Sequence, residues 1–220
     1  MRILNNKALM AAVSFLIAFV LWTLAICFID VRAIGPNNST VGLATINSLV
    51  HNVTGVHMSL YVITDWLGLV PVGFMFGFAV FGLIQWIVRK NLFKVDFNIL
   101  ILGGFYVVVI AAHVFFEMFV VNYRPVLING FLEASYPSST TLLVLTVMPT
   151  AILQLNRRIK NSLFKIILSC VLIAFTVFMV IARLVSGVHW VTDIVGGVIL
   201  SAGLVMMYYY VCSYRVNESA

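Results

Sequence analysis

The chain has 220 residues, 63% of them hydrophobic and only 9% charged, with a formal net charge of +6 and a mean hydropathy of +1.12. Soluble domains are about 45–50% apolar and about 25% charged, so too few polar side chains remain here to cover a water-facing surface. Soluble, disordered and disulfide-scaffold classes are excluded, leaving an integral membrane protein whose length suits one domain over residues 1–220.

A membrane-spanning helix needs about 20 mostly apolar residues. Six such runs follow one another, at about 8–29, 66–88, 99–121, 139–155, 166–183 and 193–212. They are unbroken blocks, not short alternating strands, so the expected fold is an all-α bundle of transmembrane helices and not a barrel. The first run exceeds the length of a signal-peptide core and is read as a helix. Residues 30–65 are the longest polar stretch and are expected to form an outer loop with a short interfacial helix. Cys27, Cys170 and Cys212 fall within apolar runs and read as buried packing residues.

Lys and Arg favour cytoplasmic connections. Arg2 and Lys7 precede the first span, and Arg89, Lys90 and Lys94 lie between the second and third. Arg157, Arg158, Lys160 and Lys165 lie between the fourth and fifth, and Arg215 follows the sixth. Both termini are therefore expected in the cytoplasm of a multi-pass cell-membrane protein. The positive charge is a topology signal, with no nucleic-acid footprint in it. Arg32, Arg124 and Arg183 are left on the outer side, and Ser135 and Ser186 read as loop positions accessible there.

Three clusters on that side could carry chemistry. In Arg183-Leu-Val-Ser-Gly-Val-His189-Trp-Val-Thr-Asp193, the His and Asp are four apart and share a helix face. A carboxylate there can hold Nδ1–H and leave Nε2 as a nucleophile or base, while an arginine fork suits phosphate oxygens. Interfacial anchoring explains the same residue types. In Asn122-Tyr123-Arg124-Pro125, Pro125 is expected to end the third helix with Arg124 at its rim, as either a headgroup contact or a site residue. In Tyr136-Pro137-Ser138-Ser139-Thr140-Thr141, the fourth helix opens with free backbone N–H groups that attract anions, although capping explains the serines equally well.

The order and spacing of these clusters resemble the type 2 phosphatidic acid phosphatase superfamily, whose motifs read K-x6-R-P, P-S-G-H and S-R-x5-H-x3-D. Arg183, His189 and Asp193 match the third motif, with Ala182 in place of its serine; Arg124-Pro125 and Pro137-Ser138 remain of the other two. The resemblance implies metal-free and cofactor-free phosphoryl transfer from a lipid phosphate or diphosphate. It makes His189 the nucleophile and Asp193 its orienting partner, and Arg124, Arg183 and Ser138 a phosphate cradle, with Ser139 at the same helix start as a further phosphate-binding candidate. The departures that bear on the chemistry are Glu117, which stands at the family's lysine, and Thr140, which stands at its acid histidine. A hydroxyl is a poor general acid, a role typically worth about 10²–10⁴-fold.

His113 and Glu117 are four apart within the third span, where ionisable groups usually face the bundle interior with a partner. They read either as a neutralising structural pair or as a site in which a desolvated Glu117 replaces the missing acid. The expected function is a membrane lipid phosphatase or phosphotransferase facing outward. A catalytically impaired relative that binds or moves phospholipid headgroups is the alternative.

Overall fold

The computed structural model describes the backbone of residues 2–218 and the side chains of residues 6–213. The side chains of Arg2 and Arg215, used above for topology, lie outside the described residues. In chain order, helix α1 (Arg2–Phe28) leads to a hairpin of β1 (Arg32–Ala33) and β2 (Thr40–Val41), paired antiparallel, then to α2 (Ala44–Thr54). Helices α3 (Met58–Leu67), α4 (Leu69–Arg89), α5 (Phe97–Met118), α6 (Ser139–Arg158), α7 (Ser162–Val185) and α8 (Val191–Glu218) follow.

Six segments are long and apolar enough to cross a bilayer: Asn6–Phe28, Met58–Arg89, Phe97–Met118, Ser139–Arg158, Ser162–Val185 and Val191–Ser213. The second begins earlier than its hydropathy predicts. Gly68 keeps helical angles (φ −60°, ψ −17°) between α3 and α4, so the pair runs on as one apolar unit that carries Thr64 and Asp65. The third ends at Met118, so Pro125 does not stop it as expected. Arg124 lies instead in a loop closed by bridges between Tyr123 and Ala134 and between Ile128 and Phe131. The polar stretch after α1 does contain a short helix, α2, whose Asn47 is fully buried and donates to the Thr192 hydroxyl at 3.0 Å.

Helix α6 is the most enclosed span, and its polar residues bond inside the bundle, as a lipid-surrounded core requires. Thr150 meets the Tyr106 hydroxyl at 3.2 Å, and Gln154 donates to Tyr208. Close helix approach needs small residues: a Cβ on Gly196 of α8 would fall 2.4 Å from the Tyr136 ring. Of the cysteines only Cys212 is buried; Cys27 and Cys170 face outward from the bundle, which corrects the packing reading for those two.

Chain order sends the ends of α1, α5 and α7 and the starts of α6 and α8 to one end of the bundle. The connections carrying Arg89, Lys90 and Lys94, and Arg157, Arg158 and Lys160, lie at the other. There Asp96 pairs with Arg89 at 2.8 Å and accepts from the Gln85 amide, also at 2.8 Å.

Candidate active site

The last turn of α7 carries Arg183, and a tight turn through Gly187 then brings the chain to His189 and into α8. Gly187 has φ +66°, and a Cβ there would lie 1.8 Å from the carbonyl oxygen of Gly55, so no other residue fits without displacing that loop. His57 N–H donates to the Ser186 carbonyl at 2.9 Å, tying the turn to the start of α3. Ser186 is fully buried and Ser135 is 3% exposed. The expectation that both are accessible loop positions is therefore corrected.

His189 and Asp193 do share a helical face, but they do not touch directly. Nδ1 of His189 is 3.8 Å from Asp193 Oδ2, beyond hydrogen-bond length. The Ser135 hydroxyl lies between them, donating to Asp193 Oδ2 at 2.5 Å and standing 3.0 Å from His189 Nδ1. Asp193 also accepts from the Trp190 backbone at 2.9 Å and from the Asn122 amide at 3.3 Å. With the serine proton directed to the carboxylate, its oxygen accepts from Nδ1–H, so Nε2 holds the lone pair. Arg124 Nη1 lies 3.3 Å from that Nε2. Burial first, then the Arg124 and Arg183 cations, hold the imidazole well below its ordinary pKa of 6.5.

The two arginines approach the same ring. Their guanidinium carbons stand 5.8 Å (Arg124) and 4.8 Å (Arg183) from the centre of Tyr61, within cation–π range. Arg183 donates to the Thr64 hydroxyl at 3.1 Å and lies 3.7 Å from Asp65. Arg124 Nε is 3.1 Å from Glu133 Oε2, close enough to pair but without hydrogen-bond alignment. The Nε of each arginine is buried without a hydrogen-bond partner. Buried donors normally find an acceptor, and an anion's oxygen would supply one to Arg183 Nε, whereas Arg124 Nε already faces the Glu133 carboxylate.

Ser138 caps α6 through its backbone, which donates to the Asp193 carbonyl at 3.1 Å, while its hydroxyl accepts from Thr141 at 3.1 Å. No side-chain cap covers the helix start, so the first-turn amides keep their anion-attracting character. A small cleft beside His189 is lined by Ser135, Ser139, His113 and Glu117, among others. His113 and Glu117 share a face as expected, 4.0 Å apart. Their side chains are 40% and 52% exposed within the bundle, so the expected interior burial of Glu117 is corrected: it stands beside the cleft. Thr140, 9% exposed in the first turn of α6, is not among the cleft-lining residues.

The structure thus gathers His189, Asp193, Arg124, Arg183, Ser139, His113 and Glu117 at one end of the bundle. Sequence reasoning missed Ser135, Asn122, Glu133 and the α3 residues Tyr61, Thr64 and Asp65. The α3 set had a signal: spacing of three and four puts them on one helical face. Glu133 reaches Arg124 only because the loop doubles back, with Arg124 N–H donating to the Glu133 carbonyl at 3.0 Å. Among the described residues no group of His, Cys, Asp and Glu is arranged to hold a metal ion.

Fold and site together define a multi-pass helical membrane protein with a buried histidine, a carboxylate and two arginines at one end. The PAP2 superfamily model matches residues 95–217, and the chain belongs to that superfamily. Its fold is similar to the crystal structure described as the first transmembrane PAP2 type phosphatidylglycerolphosphate phosphatase from Bacillus subtilis, with a TM-score of 0.56 at 17% identity. The match covers 93% of this chain and 96% of that one. No curated protein matches the chain. Membership in the superfamily supports a lipid-phosphatase type of function.

Proposed function

We propose that the chain removes or transfers the phosphate of a lipid phosphate or diphosphate through a phospho-histidine formed on His189. The observation that carries this reading is the bonding of the imidazole: Nδ1 faces Ser135 while Nε2 faces the Arg124 guanidinium at 3.3 Å. An anion drawn to that guanidinium arrives at the nitrogen that holds the lone pair. Arg124, whose Nε faces Glu133 without hydrogen-bond alignment, and Arg183, whose Nε has no hydrogen-bond partner, would take phosphate oxygens, and Ser139 with the α6 amides would complete the cradle with Ser138 as its cap. Nε2 bonds to phosphorus as the phosphorus–oxygen bond to the lipid breaks. Water then attacks phosphorus, the imidazole leaves, and phosphate departs.

The leaving oxygen needs a proton unless it is weakly basic. Thr140 cannot readily supply one, whereas a phosphate leaving group, with a second pKa of about 6, departs at neutral pH unaided. Lipid diphosphates such as polyprenyl diphosphates are therefore the preferred substrate class, with membrane lipids as the surrounding partner. The basic connections at the opposite end from His189 support an outward-facing site and cytoplasmic termini.

A second reading has one specific observation in its favour. Glu117 and Thr140 replace the family's lysine and acid histidine, and Glu133 already pairs with Arg124, as suits a protein that binds headgroups without turnover. Phosphate release by the purified protein decides between them, assayed on phosphatidic acid, phosphatidylglycerol phosphate and a polyprenyl diphosphate. Release abolished by His189→Ala supports the enzyme. Anion binding without release on any substrate supports the headgroup binder.

A further inference from the structure

We propose that Ser135 is a positioning residue that fixes the imidazole of His189 by relaying its Nδ1–H to Asp193, in place of direct contact between the two. The inference rests on the phospho-histidine reading above for its catalytic consequence, but not for its geometry. A carboxylate only accepts, and the serine hydroxyl has one proton to give. At 2.5 Å from Asp193 Oδ2 that proton is committed, so the oxygen's lone pair meets Nδ1–H at 3.0 Å. One tautomer alone satisfies all three groups.

The hydroxyl is held where it stands. Ser135 N–H donates to the Asn122 carbonyl at 2.9 Å, and the amide of the same Asn122 donates to Asp193. The next residue, Tyr136, is wedged against Phe19 (ring centres 6.0 Å apart) and Phe116 (5.7 Å), and its hydroxyl meets Thr23 at 2.7 Å. Gly196 of α8 gives that ring its space. Asp193 is equally fixed, because Oδ2 also accepts the Trp190 N–H.

Interposing a neutral hydroxyl has a chemical consequence. The charged and titratable groups around His189 are Arg124 on the α5–α6 loop with Glu133 behind it, and Arg183 on α7 with Asp65 behind it. His113 and Glu117 lie across the cleft on α5, and Asp193 lies on α8. Direct contact with Asp193 would raise the proton affinity of the ring, and a ring that gains that proton has no lone pair for phosphorus. The relay keeps the ring neutral and oriented. When Nε2 bonds to phosphorus and the ring gains charge, the serine bond polarises toward the carboxylate, since linked hydrogen bonds strengthen one another.

The test uses the full-length protein as wild type, Ser135→Ala and Ser135→Thr. Removing the partner that orients a metal-bound histidine typically costs about 10–100-fold in activity, and a loss of that order is taken for the orienting partner of His189. Ser135→Ala is expected to lower kcat by that much with KM little changed, and to move the acidic limb of kcat/KM to higher pH. Ser135→Thr, which keeps the hydroxyl, is expected to restore both. Nitrogen NMR of ¹⁵N-histidine-labelled protein reads the tautomer without any turnover: His189 should be Nδ1-protonated in wild type and lose that single form in Ser135→Ala. An unchanged tautomer and pH profile in Ser135→Ala overturns the proposal. If wild type releases no phosphate, the enzyme reading fails, and the tautomer measurement still decides the role of Ser135.

Discussion

Glu133 Oε2 lies 3.1 Å from Nε of Arg124, so the arginine facing His189 is already held by a carboxylate before any phosphate arrives. An incoming anion must share or displace that contact. Glu133 is 42% exposed, and ion pairs of this kind contribute roughly 0.2–1 kcal/mol. Glu133→Gln should therefore tighten vanadate or phosphate binding by a few-fold. Arg124→Ala and Arg183→Ala should each weaken it by about 1.5–3 kcal/mol, the worth of a charge-assisted bond. Equal vanadate affinity in wild type and both arginine variants, by titration calorimetry, would remove the cradle.

Acidity makes a separate prediction. Burial and the neighbouring Arg124 and Arg183 cations hold His189 well below 6.5, so the folded ring stays neutral where an unfolded one gains a proton. The proposed nucleophile is then competent on both sides of pH 6.5, and kcat/KM should stay level as pH falls through that value. Stability follows the same linkage: the contribution of the neutral ring is present above 6.5 and is lost as pH falls from there through the depressed folded value. An acidic limb centred at 6.5 in kcat/KM that also tracks His189 by NMR would contradict this.

Leaving-group basicity separates the substrates. On the proposed reading, which puts Thr140 where the family's acid histidine stands, wild type should favour a lipid diphosphate over phosphatidic acid in kcat/KM. Thr140→His should raise monoester turnover far more than diphosphate turnover, toward the roughly 10²–10⁴-fold that general acid catalysis supplies. Glu117→Lys, alone and combined with Thr140→His, tests whether the half-exposed carboxylate beside the cleft is the acid that stands in. Equal cleavage of both substrate types by wild type, lost in Glu117→Gln, would assign the proton to Glu117.

Much of the fold was legible because a bilayer demands long apolar runs, and the runs in this chain are interrupted only by polar connections. The second span was misplaced at its start because Thr64 and Asp65 made residues up to 65 read as polar outer loop, whereas α3 is helical through them and runs on through Gly68 into α4. In the site, His189, Asp193 and Arg183 were readable from spacing within and beside one helix. Ser135 and Glu133 were not, since each reaches its partner through the folding-back of the 119–138 loop, which leaves no periodic trace. The Tyr61 ring that both arginines share comes from α3, whose start falls in the 30–65 stretch read from sequence as outer loop. His51 of α2 packs 5.3 Å from the Trp190 ring beside His189.

Orientation can be read with cysteines placed on the two ends. Phe131 is 73% exposed in the loop that carries Arg124 and Glu133, and Asn161 is exposed between α6 and α7. Phe131→Cys should react with an impermeant thiol reagent applied to intact cells, in a background lacking the outward-facing Cys27 and Cys170. Asn161→Cys should react only after permeabilisation. The reverse pattern would place the site on the cytoplasmic side.

The most direct measurement is to trap the covalent intermediate. Purified protein is mixed with a polyprenyl diphosphate labelled at its terminal phosphate and quenched within the turnover time. A phosphoenzyme that is labile to acid, stable to base and absent from His189→Ala is the expected result. Labelled phosphate released at wild-type rates by His189→Ala would contradict the central role given to this histidine.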